Sequence, residues 1–236
     1  MQTCEKPSEM LLKIFLVSAA ILGISQGRVT IGRYERKGGY VAVNPHLMGG
    51  TVVSDRFYAS MVSIRYNAKH VCGGVILNEN WILTAAQCLE NHSPSSVTAV
   101  VGSNLLNSGD SHAVSEIKLH EEYDVASSWR NDIALLRAGG ELSSELRSVD
   151  LLVGDLNRCN TTYHKYHLNV YSTQFCDTGV QGKAACDGDM GGPLFIDDQV
   201  YGIVSWGRPC GYAGYPSVYT KVSEYIDWIN VHVNPI

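Results

Sequence analysis

Short runs of β-forming residues, separated by turn signals, limit the fold of this chain more than any other feature. From residue 47 onward, apolar and β-branched residues come in short stretches that alternate with glycine, proline, asparagine and serine. Runs of this length and spacing favour an antiparallel β-barrel or β-sandwich. The clearest predicted strands cover residues 71–77, 97–101, 133–136, 200–205 and 217–221.

The final segment has the period of a helix instead. Ser223 is a residue type that can cap a helix start, and it precedes most of this pattern. The apolar residues that share one helical face are Val222, Tyr225, Ile226, Ile229 and Val233. The sequence therefore predicts an all-β chain with one C-terminal helix.

An apolar run near the N-terminus indicates export. Residues 14–24 follow Lys13 and precede small residues at Ser25 and Gly27, which is typical of a signal peptide cleaved after Gly27. A membrane anchor is the alternative, but the run is shorter than the ~20 apolar residues that span a bilayer. We predict a signal peptide over 1–27, a polar pro-segment or flexible lead over 28–46, and one domain over 47–236, secreted to the extracellular space.

The charge balance excludes two classes of partner. The formal net charge is −5, with no block of like charges. The chain thus lacks the basic surface of a nucleic-acid-binding protein and has no charge that would draw it to an anionic membrane. Two glycosylation sequons, at Asn91 and Asn160, fit the secretory route. Nothing in the sequence demands a metal or a cofactor.

The cysteine count predicts disulfides. Cys4 precedes the predicted cleavage site, and the six cysteines that remain form an even number, which in a secreted chain indicates three bridges. A structural zinc site is the alternative. No Cys-x-x-Cys spacing supports it, and His164 with His167 fits a surface pair better. The spacing alone leaves the pairing open.

Five strings carry the most specific signal in the sequence. They are LTAAQC at 83–88, NDIALL at 131–136, CDGDMGGP at 186–193, VSWG at 204–207 and PSVYTKV at 216–222. In this order they resemble the chymotrypsin/trypsin family of secreted serine proteases from about Leu47 to the C-terminus, and residues 210–216 resemble its arthropod members. The resemblance implies two six-stranded β-barrels with a cleft between them.

The resemblance also implies that the catalytic site is degenerate. Family chemistry needs a serine nucleophile, a histidine base and an aspartate that orients the histidine. Asp132 matches the aspartate, but Gln87 stands at the histidine position and Met190 at the serine position. An amide is not a base near neutral pH, and a thioether has no proton to give up. The oxyanion-hole donors would be the backbone N–H groups of Gly188 and Met190.

The pocket that selects a substrate side chain departs from the family as well. By resemblance, Ala184 lies at the pocket base, where trypsin-like members carry an aspartate, and a small residue there suits an apolar side chain. Ser217 stands on the pocket wall, where glycine is usual, and adds bulk. Residues Ser205, Trp206 and Gly207 resemble the edge that, in the family, pairs with a substrate backbone.

Activation is altered too. In the family, cleavage after arginine or lysine frees an amine that pairs with an aspartate, and Asp189 matches that residue. The residue before Leu47 is His46, which gives a trypsin-like activator no site. Cleavage after Arg36 or Lys37 would leave a tail in front of Leu47. We therefore expect the amine of Leu47 not to be made.

The largest departure is a gap after Arg137. Family members continue into the first strand of the second barrel, whereas here only residues 138–140 precede a stretch, 141–152, that resembles the second strand. Three residues span at most ~10 Å, so the second barrel would lack its first strand and leave an open edge. A marginal monomer, a dimer through that edge and a skipped exon all remain open.

The resemblance selects a disulfide pattern. It pairs Cys72 with Cys88, Cys159 with Cys176 and Cys186 with Cys210. A fourth family bridge loses one cysteine in the gap, and Ile196 stands at its partner position.

Three interpretations of function follow. The first is a non-catalytic serine protease homologue that binds a protein or peptide, such as a protease or its substrate, as a cofactor, decoy or regulator of a proteolytic cascade. The second is a weak serine-type endopeptidase, although His92, His112 and His120 are better explained as surface groups than as a base. The third is a non-functional product of a serine endopeptidase gene, or of a wrongly joined gene sequence. The oligomeric state is open.

Overall fold

The computed structural model describes residues 40–42, 60–103, 105, 108–139, 149–151, 153–196, 199–207 and 210–233. The strands are β1 (Tyr40–Ala42), β2 (Met61–Tyr66), β3 (Lys69–Ile76), β4 (Trp81–Thr84), β5 (Val97–Val101), β6 (Asp110–Leu119), β7 (Ala134–Ala138), β8 (Val149–Leu151), β9 (Gln174–Cys176), β10 (Pro193–Ile196), β11 (Gln199–Trp206) and β12 (Val218–Lys221). The helices are α1 (Leu156–His164) and α2 (Ile226–Val233), and 3-10 turns cover Ala86–Cys88, Pro94–Ser96 and Val222–Glu224.

Six consecutive strands close into the first barrel. Their order is β2-β3-β4-β7-β6-β5, and every neighbouring pair is antiparallel. Asn67 and Ala68 both have positive φ in the two-residue turn between β2 and β3, which suits the twist of a tight hairpin. Apolar side chains on both faces of these strands are buried, and several are completely buried: Ile64, Val75, Ile82, Leu83, Leu135 and Leu136.

The second unit is a six-stranded sheet in the order β8-β1-β10-β11-β12-β9. Just beyond its two outer strands, β8 and β9, the chain forms an isolated antiparallel bridge between Val153 and Asp177. The Gly154 N–H also donates to the Cys176 carbonyl oxygen of β9 at 2.7 Å. The prediction of an all-β chymotrypsin-like fold with two β units and a C-terminal helix is thus confirmed. The sheet of the second unit is closed less completely than the first barrel.

Strand β1 lies where the chain order does not predict it. In the first barrel, the first strand, β2, lies between the second strand, β3, and the fourth, β5. Strands β8 to β12 repeat this pattern as strands two to six, and β1 occupies the place between β8 and β10. Among the described residues no strand lies between β7 and β8, as predicted, but β1 fills the place of the missing strand in the sheet.

Of the N-terminal segment, the structure describes only residues 40–42. The prediction of a flexible lead is wrong for residues 40–42, because they pair on both sides within a sheet. The predicted signal peptide at 1–27 and the rest of the segment 28–46 lie outside the described residues. The start of the predicted domain at Leu47 lies outside them as well.

One hydrophobic core links the two units. The largest buried cluster contains the first barrel's interior together with Phe195 and Ile203 of the second sheet and Ile229 of α2. Two smaller clusters fill the second unit, around Tyr219 and around Trp206. The shared core holds the facing loops of the two units in fixed relation, which positions the site described below.

The C-terminal helix is confirmed, but its start was wrong. Ser223 lies within the 3-10 turn Val222–Glu224, and α2 begins only at Ile226. Ser223 therefore does not cap the helix. The sequence did not predict α1, which Asp155 caps by accepting a hydrogen bond from the Arg158 N–H at 2.9 Å.

The described residues include no helix that is both long and apolar enough to cross a bilayer. In the same part of the chain, no group of three or more histidine, cysteine, aspartate or glutamate side chains is placed to hold a metal ion.

Candidate functional site

A buried carboxylate lies at the centre of the site. Asp132 is completely buried, and one of its oxygens, Oδ1, accepts the backbone N–H of Gln87 at 2.9 Å. The other oxygen, Oδ2, accepts the Gln87 side-chain amide at 2.6 Å and the Ser205 hydroxyl at 2.5 Å. Both oxygens are therefore engaged by neutral donors.

Gln87 also joins the two halves of the molecule. It lies in the 3-10 turn Ala86–Cys88 after β4 of the first barrel, and its side-chain Nε2 donates to the carbonyl oxygen of Ser205 on β11 at 2.6 Å. The disulfide between Cys72 and Cys88 holds this turn against β3. Two of the predicted site residues are thus linked directly across the boundary between the two units.

Burial and hydrogen bonding act in opposite directions on Asp132. Burial raises the pKa of Asp132 and the hydrogen bonds from Ser205 and Gln87 lower it, but burial is the larger effect and the pKa is about 6. The net result is a carboxyl group whose ionised form is disfavoured by its surroundings. An imidazolium at position 87 would stabilise that negative charge, but a glutamine amide carries no charge.

Met190 lies at the junction of the two cores. It is partly buried and packs against both the first-barrel cluster and the cluster around Tyr219. Its carbonyl oxygen accepts the Gly73 N–H of β3 at 2.7 Å. The next residue, Gly191, has a φ of +79°, and a Cβ there would lie 2.2 Å from Thr84 Oγ1. The chain can therefore make this close approach only with glycine at position 191.

A histidine next to this loop was not identified from the sequence. His70 lies on β3, and its Nδ1 is hydrogen-bonded to the Ser63 hydroxyl at 2.9 Å. Its Nε2 lies 2.8 Å from the Gly188 carbonyl oxygen. Since a carbonyl only accepts, Nε2 carries a proton, and Nδ1 is hydrogen-bonded to the Ser63 hydroxyl. His70 thus fixes the loop that holds Gly188, and its remaining nitrogen is already used.

The predicted pocket residues lie at strand ends and in a loop: Ser205 and Trp206 end β11, Ser217 directly precedes β12, and Ala184 lies between β9 and β10. Ala184, Ser205, Trp206 and Ser217 are all buried. A Cβ built on Gly207 would lie 3.3 Å from the Ser217 Cα and 3.8 Å from its Cβ. Ser217 therefore lies directly beside Gly207, and its side chain narrows the predicted pocket at this point.

A second buried acid lies behind this wall, and sequence reasoning missed it. Asp177 Oδ1 accepts the N–H groups of Gly179 and Ser217 at 2.8 and 3.1 Å, and Oδ2 accepts the Tyr219 hydroxyl at 3.2 Å. Burial raises the pKa of Asp177, and these donors oppose the rise. The only signal in the sequence was an aspartate directly after the disulfide cysteine Cys176.

Two of the three predicted disulfides are present. Cys72 is bonded to Cys88, and Cys159 to Cys176. The third pairing is a correction, because Cys186 and Cys210 are thiols in the structure. The two groups are neighbours, and burial together with a hydrogen bond to Cys210 raises the pKa of Cys186. The two cysteine side chains are therefore in contact but are not joined by a disulfide.

The remaining predicted residues occupy different settings. Asp189 is completely buried and accepts the Cys186 N–H at 2.7 Å through Oδ2. Asn91 is exposed, whereas Asn160 is half-buried and its side-chain oxygen accepts the Val170 N–H at 3.1 Å. Asn91 is therefore the more accessible of the two sequons.

Comparison with known proteins identifies a family over most of the chain from Leu47 onward. The family described as Trypsin matches residues 47–142 and 137–229. The two matches meet at residues 137–142, where the sequence predicts a gap. This chain is similar to Trypsin alpha of Drosophila melanogaster, with 29% identity over 264 positions that cover 96% of this chain and 100% of the relative.

Two further relatives give the same picture. Trypsin delta of Drosophila erecta is 29% identical over 257 positions, covering 93% of this chain and 98% of the relative. Hypodermin-B of Hypoderma lineatum is 32% identical over 221 positions, covering 78% of this chain and 86% of the relative. The alignments with both trypsins are longer than the 236 residues of this chain, so the relatives contain residues without a counterpart here.

Proposed function

This chain belongs to the trypsin family of serine proteases, and we propose that it is a secreted member that binds a protein or peptide without cutting it. The proposal rests on one observation. The buried carboxylate of Asp132 is engaged by the Gln87 amide and the Ser205 hydroxyl, with no base between it and a nucleophile.

The chemistry of this arrangement opposes hydrolysis. Peptide cleavage by a serine protease needs a group that removes the proton from a nucleophilic hydroxyl and later protonates the leaving amine. The Gln87 amide can do neither, and both of its observed bonds are donor bonds, to Asp132 and to the Ser205 carbonyl oxygen. Met190 supplies a thioether that forms no acyl intermediate by this route.

The same region still supports binding. β11 is paired with β10 on one side and with β12 on the other, and its last residues, Ser205 and Trp206, are followed by Gly207. We propose that an extended peptide adds its backbone only beside these three residues, on the side away from β12. Ser217 beside Gly207 leaves little depth for a large side chain. We therefore propose that affinity comes mainly from backbone pairing at the end of β11, with a small side chain at the pocket. A protease or the substrate of a protease is the class of partner that presents such a segment.

The test is a binding and cleavage measurement on the same probes. A panel of peptidyl coumarin amides, varied at the residue before the coumarin, is titrated against the purified protein while fluorescence anisotropy and coumarin release are followed. We expect saturable binding for small apolar residues and no release above the buffer blank. Absence of binding across the whole panel would contradict the proposed binding role, and steady release would contradict the proposed lack of catalysis.

A matched pair of variants locates the binding surface. Gly207→Val places two methyl groups against Ser217, so it should abolish binding of the panel. Val231→Ala changes an exposed side chain on α2 and should leave binding unchanged. Equal loss in both variants would mean that the probes do not bind beside Gly207 at the end of β11.

A further inference from the structure

An empty groove between β8 and β10 would leave backbone hydrogen-bonding groups of β10 unpaired and so destabilise the second unit. All four residues of β10 are buried, and one edge of β10 pairs with β11. If the other edge had no partner, its peptide groups would lack hydrogen bonds next to a hydrophobic interior. The second unit therefore needs an extended segment at this position.

The described residues after β7 do not supply that segment. In the described residues, the six strands of the first barrel come from one continuous stretch, Met61 to Ala138, but the corresponding stretch from Val149 to Lys221 supplies only five. The sixth strand of the second unit comes from before the first barrel, at residues 40–42. The two units are thus built by the same pattern but from differently ordered pieces of chain.

The register shows that β1 is a central strand of this sheet. Val41 lies opposite Phe195 of β10 on one side and opposite Asp150 of β8 on the other, and both pairings are antiparallel. Ala42 likewise lies opposite Leu194 and Val149. A strand paired at both edges joins its neighbours, whereas a strand added at an outer edge could leave without separating them.

We propose that β1 is a built-in replacement for the first strand of the second unit, donated by this chain's own N-terminal segment to a strand-accepting groove between β8 and β10. The connection is long enough for this. Residues 43–59 can span at most about 60 Å, which exceeds the distance across a domain whose radius of gyration is about 17 Å. The proposal does not depend on whether the Gln87 site binds or cuts.

Residues 40–42 give the N-terminal segment a structural role in the second unit. Arg36 and Lys37 precede β1, so a protease that cuts after either residue leaves the strand in place. A cut between β1 and β2 would instead separate the donated strand from the rest of the chain. Segment 28–46 is therefore part of the folded domain at residues 40–42, not a wholly removable leader.

Cross-linking in the full chain tests the register. Directly opposed residues in a sheet have Cα atoms about 4.5–5.5 Å apart, within the range of a disulfide. We expect Val41→Cys/Asp150→Cys to form a disulfide within one chain, found by non-reducing peptide mapping of the monomer fraction. The control Tyr40→Cys/Val149→Cys is two positions out of register and should not close. A disulfide between two chains, or equal closure in both variants, would overturn the proposal.

Hydrogen exchange on the unmodified protein gives a second readout that needs no variant. The peptide that contains residues 40–42 should exchange at least about 10³-fold slower than an unstructured peptide of the same sequence. It should also be comparable with the peptide that contains β10. Exchange of residues 40–42 at the rate of an unstructured peptide would overturn the proposal.

Discussion

Gln87 binds Asp132 twice, through its backbone N–H at 2.9 Å and through its side-chain amide at 2.6 Å. The side chain also reaches Ser205 in the other unit, so a single glutamine ties the carboxylate to both halves of the site. A residue placed in this way stabilises the site but provides no proton acceptor. Gln87 therefore has a structural role that can be measured independently of any activity.

Loss of the Gln87 amide should lower the stability of the protein. We expect Gln87→Leu to reduce the free energy of unfolding by about 1–3 kcal/mol, because Asp132 and the Ser205 carbonyl oxygen each lose a donor. Urea unfolding measures this change. Gln181→Leu, in which an exposed side chain loses one hydrogen bond to Ala213, is the control and should change stability by less than about 0.5 kcal/mol. Equal effects in both variants would contradict the role assigned to Gln87.

The raised pKa of Asp132 should make stability depend on pH. Burial raises this pKa to about 6, above the value of about 4 for an unfolded aspartate, so the folded protein binds more protons between these values. The contribution of Asp132 is complete below about pH 4 and is lost as the pH rises through about 6. The total change is about 3 kcal/mol.

The Asp132→Asn variant isolates this contribution. The free energy of unfolding is measured from pH 4 to pH 7.5 for both proteins, and the unmodified protein should lose stability relative to the variant over that range. Other groups with shifted pKa values, such as Asp177, are common to both proteins and cancel in the difference. Parallel curves would mean that Asp132 does not titrate in this range.

The strands of this fold could largely be predicted from the sequence. The predicted run 97–101 coincides with β5, and the other four lie within two residues of β3, β7, β11 and β12. These strands alternate or bury apolar residues, so local pattern and tertiary environment agree. The pairing of Asp132 with position 87 also followed from motifs.

Other features depend on contacts that no local pattern contains. Strand β1 has only three residues, and its place is set by pairing with β8 and β10, more than a hundred residues away. Helix α1 has the weak helix formers Asn160, Thr161 and Thr162, and it depends on the Asp155 cap, the disulfide at Cys159 and the buried Tyr163. These elements are fixed by the rest of the fold.

The thiol of Cys186 should react slowly in the folded protein. Burial and the neighbouring Cys210 raise its pKa, so little of the reactive thiolate is present at pH 8. Native protein is treated with iodoacetamide, then unfolded and treated with N-ethylmaleimide, and the labels are located by peptide mass spectrometry. We expect Cys186 to carry mainly the second label, and iodoacetamide labelling as fast as that of glutathione would contradict this.

The N-terminus of the secreted protein should lie before β1. His46 offers no site to a protease that cuts after arginine or lysine, whereas Arg36 and Lys37 do. Mass spectrometry of the secreted protein should therefore find an N-terminus between residues 28 and 38. Leu47 as the N-terminal residue would contradict both this prediction and the structural role of residues 40–42.

The most direct test of the account is covalent labelling of the cleft. A biotinylated peptidyl diphenyl phosphonate forms a stable adduct only with an activated hydroxyl nucleophile, so an active trypsin serves as the positive control. With Met190 and Gln87 in place, the purified protein should carry no adduct after complete labelling of the control. An adduct mapped by mass spectrometry to a residue of this chain beside Asp132 would show an activated nucleophile and contradict the account.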